Sequence, residues 1–283
     1  MQVFTTKSAL QPVLEKLHET QKSIGFVPTM GALHDGHLSL VQQSLKQTDF
    51  TVVSIFVNPT QFNNAADLTN YPRTLERDLQ KLSSLNADNI LVYAPETNDV
   101  YGSAITSVDF EFGGLEHQME GKFRPGHFNG VGTIVKFLFE LIQPQIAFFG
   151  EKDFQQALIV SKLAEMLETG PTIEIVPIFR EANGLAMSSR NERLTAEQRE
   201  KAGLIFESLS QAKVLFKTES FDKIKETVQS IFSNHPLFQL EYFEIADAQT
   251  LEPTAVLEPD RKYRAFIAVF ADEVRLIDTI SLN

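Results

Sequence analysis

Short, continuous apolar runs alternate with helical patterns through the first 180 or so residues of this chain, and that alternation leaves few folds open. The runs cover residues 23–27, 51–57, 89–93, 145–149 and 172–178. Most place apolar residues at successive positions rather than at every second one. That is the pattern of parallel strands covered on both faces. Helical patterns lie between them at 8–19, 38–46, 74–85, 131–142 and 154–168. The order predicts an α/β domain built on a doubly wound parallel sheet with right-handed crossovers.

The texture changes after residue 180. Two amphipathic helical patterns, 195–216 and 221–232, precede three strand-like runs at 240–246, 264–271 and 273–280. Phe270-Ala271-Asp272-Glu273 reads as a tight antiparallel turn between the last two. The expected division is a Rossmann-like domain over residues 1–180 and a smaller C-terminal α+β domain over 181–283. Residues 110–129 carry Gly113, Gly114, Gly121, Gly126 and Pro125. They read as a long loop, and loops of that length inside a compact domain are usually functional or mobile.

Function is constrained by charge. Lys and Arg number 25 against 37 Asp and Glu, a net charge of −12 with no dense basic run, which argues against nucleic acid as a partner. No apolar run reaches the roughly 18 residues that span a bilayer, and no signal-peptide pattern opens the chain, so no membrane partner is expected. There is no cysteine, which excludes disulfides and thiolate metal sites and fits a cytoplasmic location. An acidic protein that binds an anionic ligand must gather its few cations locally.

Three polar loops do so. The first is Pro28-Thr29-Met30-Gly31-Ala32-Leu33-His34-Asp35-Gly36-His37. Gly31 and Gly36 permit unusual dihedrals and close backbone approach. The helix expected to start near His37 turns free N–H groups and a positive dipole end toward the loop, which suits an anion. His34 and His37, three apart, share a face and can each donate to phosphate oxygens. The alternatives are capping or metal-binding histidines; no third metal ligand lies nearby, so no metal is expected. The second loop is Gly150-Glu151-Lys152-Asp153, where Lys152 follows an apolar run and offers a point charge for phosphate, unless it pairs with Glu151 or Asp153. Asp153 suits a ribose contact, a helix cap or a water-mediated magnesium ion. In the third loop, Met187-Ser188-Ser189-Arg190-Asn191, two hydroxyls and a fixed cation can grip a triphosphate. In an open parallel sheet, ligands sit beyond the carboxyl ends of the strands, where these loops and the one starting at Asn58 emerge. The combination points to an adenylating enzyme.

Asn58-Pro59-Thr60-Gln61-Phe62 supplies two neutral amides and Gln156 a third, suited to the hydroxyls and carboxylate of a small polar substrate. The P-loop, the dinucleotide-binding Gly-x-Gly-x-x-Gly and the Gly-x-Ser-x-Gly elbow are all missing from the sequence.

These blocks, together with Ser54-Ile55-Phe56-Val57, Tyr71-Pro72-Arg73-Thr74, Arg124-Pro125-Gly126-His127-Phe128 and Gly184-Leu185-Ala186-Met187, cover nearly the whole chain. They resemble the pantothenate synthetase, or pantoate–β-alanine ligase, family. The His-x-Gly-His element is shared with other nucleotidyltransferases; the remaining blocks are more selective. The resemblance implies that pantoate attacks ATP to give pantoyl adenylate and pyrophosphate, and that β-alanine then displaces AMP. Magnesium accompanies ATP, and the family is typically a homodimer with its C-terminal domain over the cleft. It further implies an ATP site from Met30, Gly31, Ala32, Leu33, His34, Asp35, Gly36, His37, Gly150, Glu151, Lys152, Asp153, Phe179, Met187, Ser188, Ser189 and Arg190. Catalysis falls to His34, His37 (the family's proton donor), Lys152, Ser188, Ser189 and Arg190. Gln61 and Gln156 hold pantoate, and Asn58 and Tyr71 line or flank that pocket.

Ala66, Glu140, Gln145 and Asn183 depart from residues common in the family. A nucleotidyltransferase acting on a phosphorylated acceptor would need cations beside Gln61, and residues 58–62 offer none. A non-catalytic nucleotide-binding regulator would be expected to have lost one of the three loops, and all are kept.

Overall fold

The computed structural model describes residues 1–254 and 256–283. The chain divides into two compact units: Met1–Gly150 with Gln155–Pro177, and Glu151–Phe154 with Ile178–Asn283.

The strands of the first unit are β1 (Gln2–Phe4), β2 (Ile24–Thr29), β3 (Phe50–Ile55), β4 (Ile90–Tyr93), β5 (Ile146–Gly150) and β6 (Thr172–Val176). Its helices are α1 (Lys7–Glu19), α2 (Asp35–Gln47), α3 (Ala65–Asn70), α4 (Leu75–Ser83), α5 (Thr97–Tyr101), α6 (Met119–Phe123), α7 (His127–Ile142) and α8 (Phe154–Met166). The sheet runs in the order β1-β4-β3-β2-β5-β6 and every pairing is parallel. The continuous apolar runs form its buried centre, with Ile24, Phe26, Val52, Val92 and Phe148 fully enclosed. Gly25 lets α2 lie close against β2, because a Cβ there would stand 2.1 Å from Ser44 Oγ.

Strand order reverses between β2 and β5, the place where doubly wound sheets open a crevice. Here the opening is built into the ladder. β2 stays paired with β3 as far as Thr29↔Ile55, whereas its pairing with β5 ends at Phe26↔Ala147. Pro28 explains how a proline occupies a central strand. Successive residues of a parallel strand bond alternately to the two neighbours. The Ile24 carbonyl accepts from Gln145 on the β5 side and the Thr29 carbonyl from Phe56 on the β3 side. Pro28 therefore directs its missing donor toward β5, beyond the last paired residue.

The second unit holds α9 (Ala196–Lys201), α10 (Leu204–Leu215) and α11 (Phe221–Phe232), then β7 (Gln239–Asp247), β8 (Tyr263–Ala271) and β9 (Val274–Ser281) in an antiparallel sheet of order β7-β8-β9. The helices cover one sheet face. Ile205, Leu209, Ile224 and Val228 pack with Ile245, Tyr263, Ile267 and Leu276 in one core. The expected β8–β9 turn is present: Ala271 pairs with Val274, and Asp272 takes a left-handed φ of +49° in place of the usual glycine.

Several local expectations are corrected. The helix expected over 195–216 breaks into α9 and α10 around Gly203, where a Cβ would stand 2.2 Å from the Asn183 carbonyl oxygen. Residues 110–129 are not one irregular loop: they contain a 3-10 turn (Leu115–His117), α6 and the start of α7. Gln155 fastens this segment, donating to the Leu115 and Gln118 carbonyls at 2.8 Å each and accepting from Glu120 N at 3.1 Å. Strand β1 and helices α3 and α5 are additional elements. Gln145 and Asn183 each have a local task. Gln145 accepts from the Ile24 N–H, and Asn183 donates to the Arg199 and Glu200 carbonyls.

Candidate active site

In the first unit the polar loop begins at Met30, since Pro28 and Thr29 complete β2. Helix α2 starts at Asp35, two residues before His37, so Gly36 is helical and the positive φ angles belong to Gly31 (+84°) and Ala32 (+49°). That turn is held from beneath by a residue with no visible role in the sequence. The buried carboxylate of Asp78, on α4, accepts from the Ala32 N–H at 3.0 Å and the Leu33 N–H at 2.7 Å. Lys81, one turn further on, donates to the Leu33 carbonyl. In sequence, both residues read only as charges on an amphipathic helix.

His34 is the N-cap of α2 and His37 its third residue. Their rings lie 4.0 Å apart, tilted by 30°. His37 Nδ1 accepts from the His34 backbone N–H at 3.4 Å. An acceptor at Nδ1 places the proton of the neutral ring on Nε2, which makes Nε2–H a donor.

The second group is the turn after β3, a 3-10 turn (Pro59–Gln61). Asn58 is 1% exposed, and its amide is spent within the protein. Oδ1 takes the Thr60 N–H at 3.4 Å and the Tyr101 hydroxyl, while Nδ2 donates at 3.1 Å to both the Gly130 carbonyl and Gln61 Oε1. The Gln61 carbonyl is fixed as well: His127 Nδ1 lies 2.8 Å from it, with Arg124 Nη2 at 3.4 Å. The Arg124-Pro125-Gly126-His127 block thus secures the Gln61 turn. Gly130 makes this approach possible, since a Cβ there would come within 2.3 Å of the Thr60 carbonyl oxygen. Gln61 Nε2 is left facing Met30, 2.9 Å from Sδ, which brings this turn to the first loop. Tyr71 is buried, edge-on to Phe62 at 5.7 Å between centroids. Gln156 is partly exposed on the first turn of α8, one residue from the structural Gln155.

In the second unit, residues 151–153 form a 3-10 turn. Lys152 Nζ lies 3.2 Å from Asp153, so the pairing with a neighbouring carboxylate is formed. Glu151 Oε1 accepts from Arg264 Nη2 at 2.6 Å, and the Arg264 guanidinium lies over the Phe154 ring at 4.1 Å. Phe179 is 42% exposed. Ser188 caps the 3-10 turn Ser189–Arg193, its hydroxyl accepting from Arg190 N–H at 3.3 Å. Asn191 anchors that turn through Glu181 at 2.9 Å and the Ala186 carbonyl at 3.1 Å. Burial pushes the Glu181 carboxyl up, but the hydrogen bonds from Arg199 and Asn191 outweigh it and leave its pKa below the ordinary value. Arg180 forks onto Asp278 at 2.6 and 3.0 Å.

Each unit by itself carries groups suited to anions: an imidazole at the start of α2 in the first, and Lys152 and Arg190 on 3-10 turns in the second. Comparison with known proteins narrows it. Residues 2–281 match the family described as pantoate-beta-alanine ligase. A pantothenate synthetase of Flavobacterium psychrophilum is 54% identical over 283 residues, all of both chains. The crystal structure of pantothenate synthetase from Thermus thermophilus superposes with a TM-score of 0.90 at 37% identity, covering 100% of this chain and 99% of that one. The pantoate-beta-alanine ligase of Francisella tularensis, complexed with beta-gamma ATP and beta-alanine, gives 0.80 at 32% identity, covering 100% and 98%. With motif blocks, fold and whole-length similarity in agreement, the chain belongs to the pantoate–β-alanine ligase family.

Proposed function

We propose that (R)-pantoate and ATP first form pantoyl adenylate on this enzyme, and that β-alanine then displaces AMP. The overall reaction is the ATP-dependent condensation of pantoate with β-alanine to pantothenate. The observation that carries the reading is whole-length membership of the family with every loop of the adenylation machinery kept. A pantoate carboxylate oxygen attacks the α-phosphorus, the bond to the β-phosphate bridging oxygen breaks, and pyrophosphate leaves. The β-alanine amine then attacks the acyl carbon, loses a proton, and AMP departs with its electron pair.

Met30 to His37, Gly150 to Asp153, Phe179 and Met187 to Arg190 are assigned to ATP. The His37 Nε2–H and the Lys152 ammonium stabilise charge gathering on the leaving pyrophosphate. His34, Ser188, Ser189 and Arg190 donate to phosphate oxygens. Gln61 and Gln156 are assigned to pantoate, with Asn58 and Tyr71 beneath. Magnesium enters as part of the nucleotide substrate. Among the described residues no three His, Cys, Asp or Glu side chains are grouped to hold a metal ion, and magnesium bound mainly by phosphates and water fits that donor set. A homodimer in the cytoplasm completes the reading; none of the described helices is long and apolar enough to cross a membrane.

The test is a product assay omitting each substrate in turn. Pyrophosphate release with ATP and pantoate alone, and AMP turnover only with β-alanine, is the expected result. Release of ADP and inorganic phosphate would overturn the adenylate course.

A further inference from the structure

The orientation of an amide side chain decides whether it offers a donor or an acceptor. At Gln61 that choice is made several residues away. The Asn58 amide is fixed by two backbone groups that cannot exchange roles. Thr60 N–H can only donate, so the atom it meets at 3.4 Å is Oδ1; the Gly130 carbonyl can only accept, so the atom it meets at 3.1 Å is Nδ2. Nδ2 also points at Gln61, and the atom 3.1 Å away must therefore be Oε1. Nε2 is then the end turned toward Met30. Tyr101, the last residue of α5, closes the relay by donating its hydroxyl to Asn58 Oδ1, with the Thr60 hydroxyl 3.0 Å away. Burial raises the Tyr101 pKa, so the phenol keeps its proton and its donor role.

We propose that Tyr101 is a positioning residue for this reaction: through Asn58 it holds the Gln61 amide with Nε2 toward the substrate, so that Gln61 presents donors to a pantoate oxygen and cannot present an acceptor. The proposal rests on the assignment of Gln61 to pantoate. It gives the pocket a polarity, selecting a carboxylate or hydroxyl oxygen with a free lone pair over a group that has only protons to give.

Three variants of the full-length enzyme test it. Tyr101→Phe removes only the hydroxyl. It should raise the KM for pantoate about 3- to 10-fold, the loss of roughly one hydrogen bond, while the KM for ATP stays within about twofold. Gln61→Glu keeps shape and size. Its carboxylate would accept from Asn58 with one oxygen and turn a second acceptor toward the substrate. It should be worse than Gln61→Ala for pantoate at neutral pH and recover as the pH falls and the carboxyl gains a proton to donate. If Gln61→Ala leaves the pantoate KM unchanged, the assignment of Gln61 itself is wrong. If Gln61→Ala raises it but Tyr101→Phe does not, or affects ATP equally, or if Gln61→Glu is milder than Gln61→Ala at neutral pH, the assignment stands and the relay is overturned.

Discussion

The Asp78 carboxylate accepts the backbone N–H of Leu33 at 2.7 Å across 45 residues of sequence, and its other oxygen accepts that of Ala32. One acidic side chain therefore supports the left-handed turn on which the histidine loop depends. Asp78→Asn can accept only one of the two N–H groups and turns an NH2 against the other. It should destabilise the first unit by about 1–3 kcal/mol, read as a lower midpoint in urea, and raise the KM for ATP in the fraction that stays folded. A midpoint equal to that of the parent would show the turn to be self-supporting.

Lys152→Ala and His37→Ala each remove a group proposed above to stabilise charge on the leaving-group side of adenylation. Loss of such a donor costs roughly 3–4 kcal/mol, or about 10²–10³ in rate. Single-turnover pyrophosphate release on folded variants checks this, and a loss below about fivefold would remove either residue from its assigned role.

Gly130→Ala places a methyl group where the Thr60 carbonyl lies. Displacement of the Pro59–Gln61 turn should cost about 1–3 kcal/mol of stability and impair pantoate use before ATP binding. Calorimetric titration of ATP without pantoate separates the two effects.

The forked Arg180–Asp278 pair is buried on the aspartate side. Asp278→Ala leaves a guanidinium without its counter-charge, and removing one partner of such a pair costs roughly 3–5 kcal/mol. Loss of cooperative unfolding in the second unit, followed by hydrogen exchange, is the expected outcome.

Acid should also weaken the second unit. Burial raises the carboxyls of Glu181 and Asp247, but their partners prevail: hydrogen bonds from Arg199 and Asn191 for the first, hydrogen bonds from the Thr250 and Gln249 N–H groups and the nearby charge of Arg261 for the second. Both native pKa values are lowered, so at these two groups the unfolded chain binds more protons than the native one through this window, while Asp278, raised by burial, acts in the opposite sense. Their contribution is complete above the ordinary carboxylate range, about pH 4, and fades as pH falls through the lowered native values. Tm measured from pH 6 downward should fall, and Glu181→Gln should flatten that slope.

Five of the six parallel strands were legible because continuous burial on both faces leaves an uninterrupted apolar run. The sixth, β1, is three residues long with two of them exposed, and carries no such run. The adjacency of His34 and His37 was equally legible, since helical spacing alone brings the rings together. What supports the loops was not. Asp78, Lys81, His127 and Gly130 act on residues far away in sequence, and local periodicity contains nothing about distant partners. The Gln155-Gln156 pair shows the same limit: two identical neighbours diverge because one faces inward to the 115–120 segment and the other does not.

Pro28 gives the early parting of β2 and β5 a further meaning. Two parallel strands side by side would gain by zipping onward, and any loosened loop between them would invite it. A strand that has no N–H to offer on that side forfeits a ladder bond there, which weighs against extension whatever the neighbouring loops do. The opening of the crevice is thus favoured by a missing atom in the backbone itself, independently of the sequence of the loops around it.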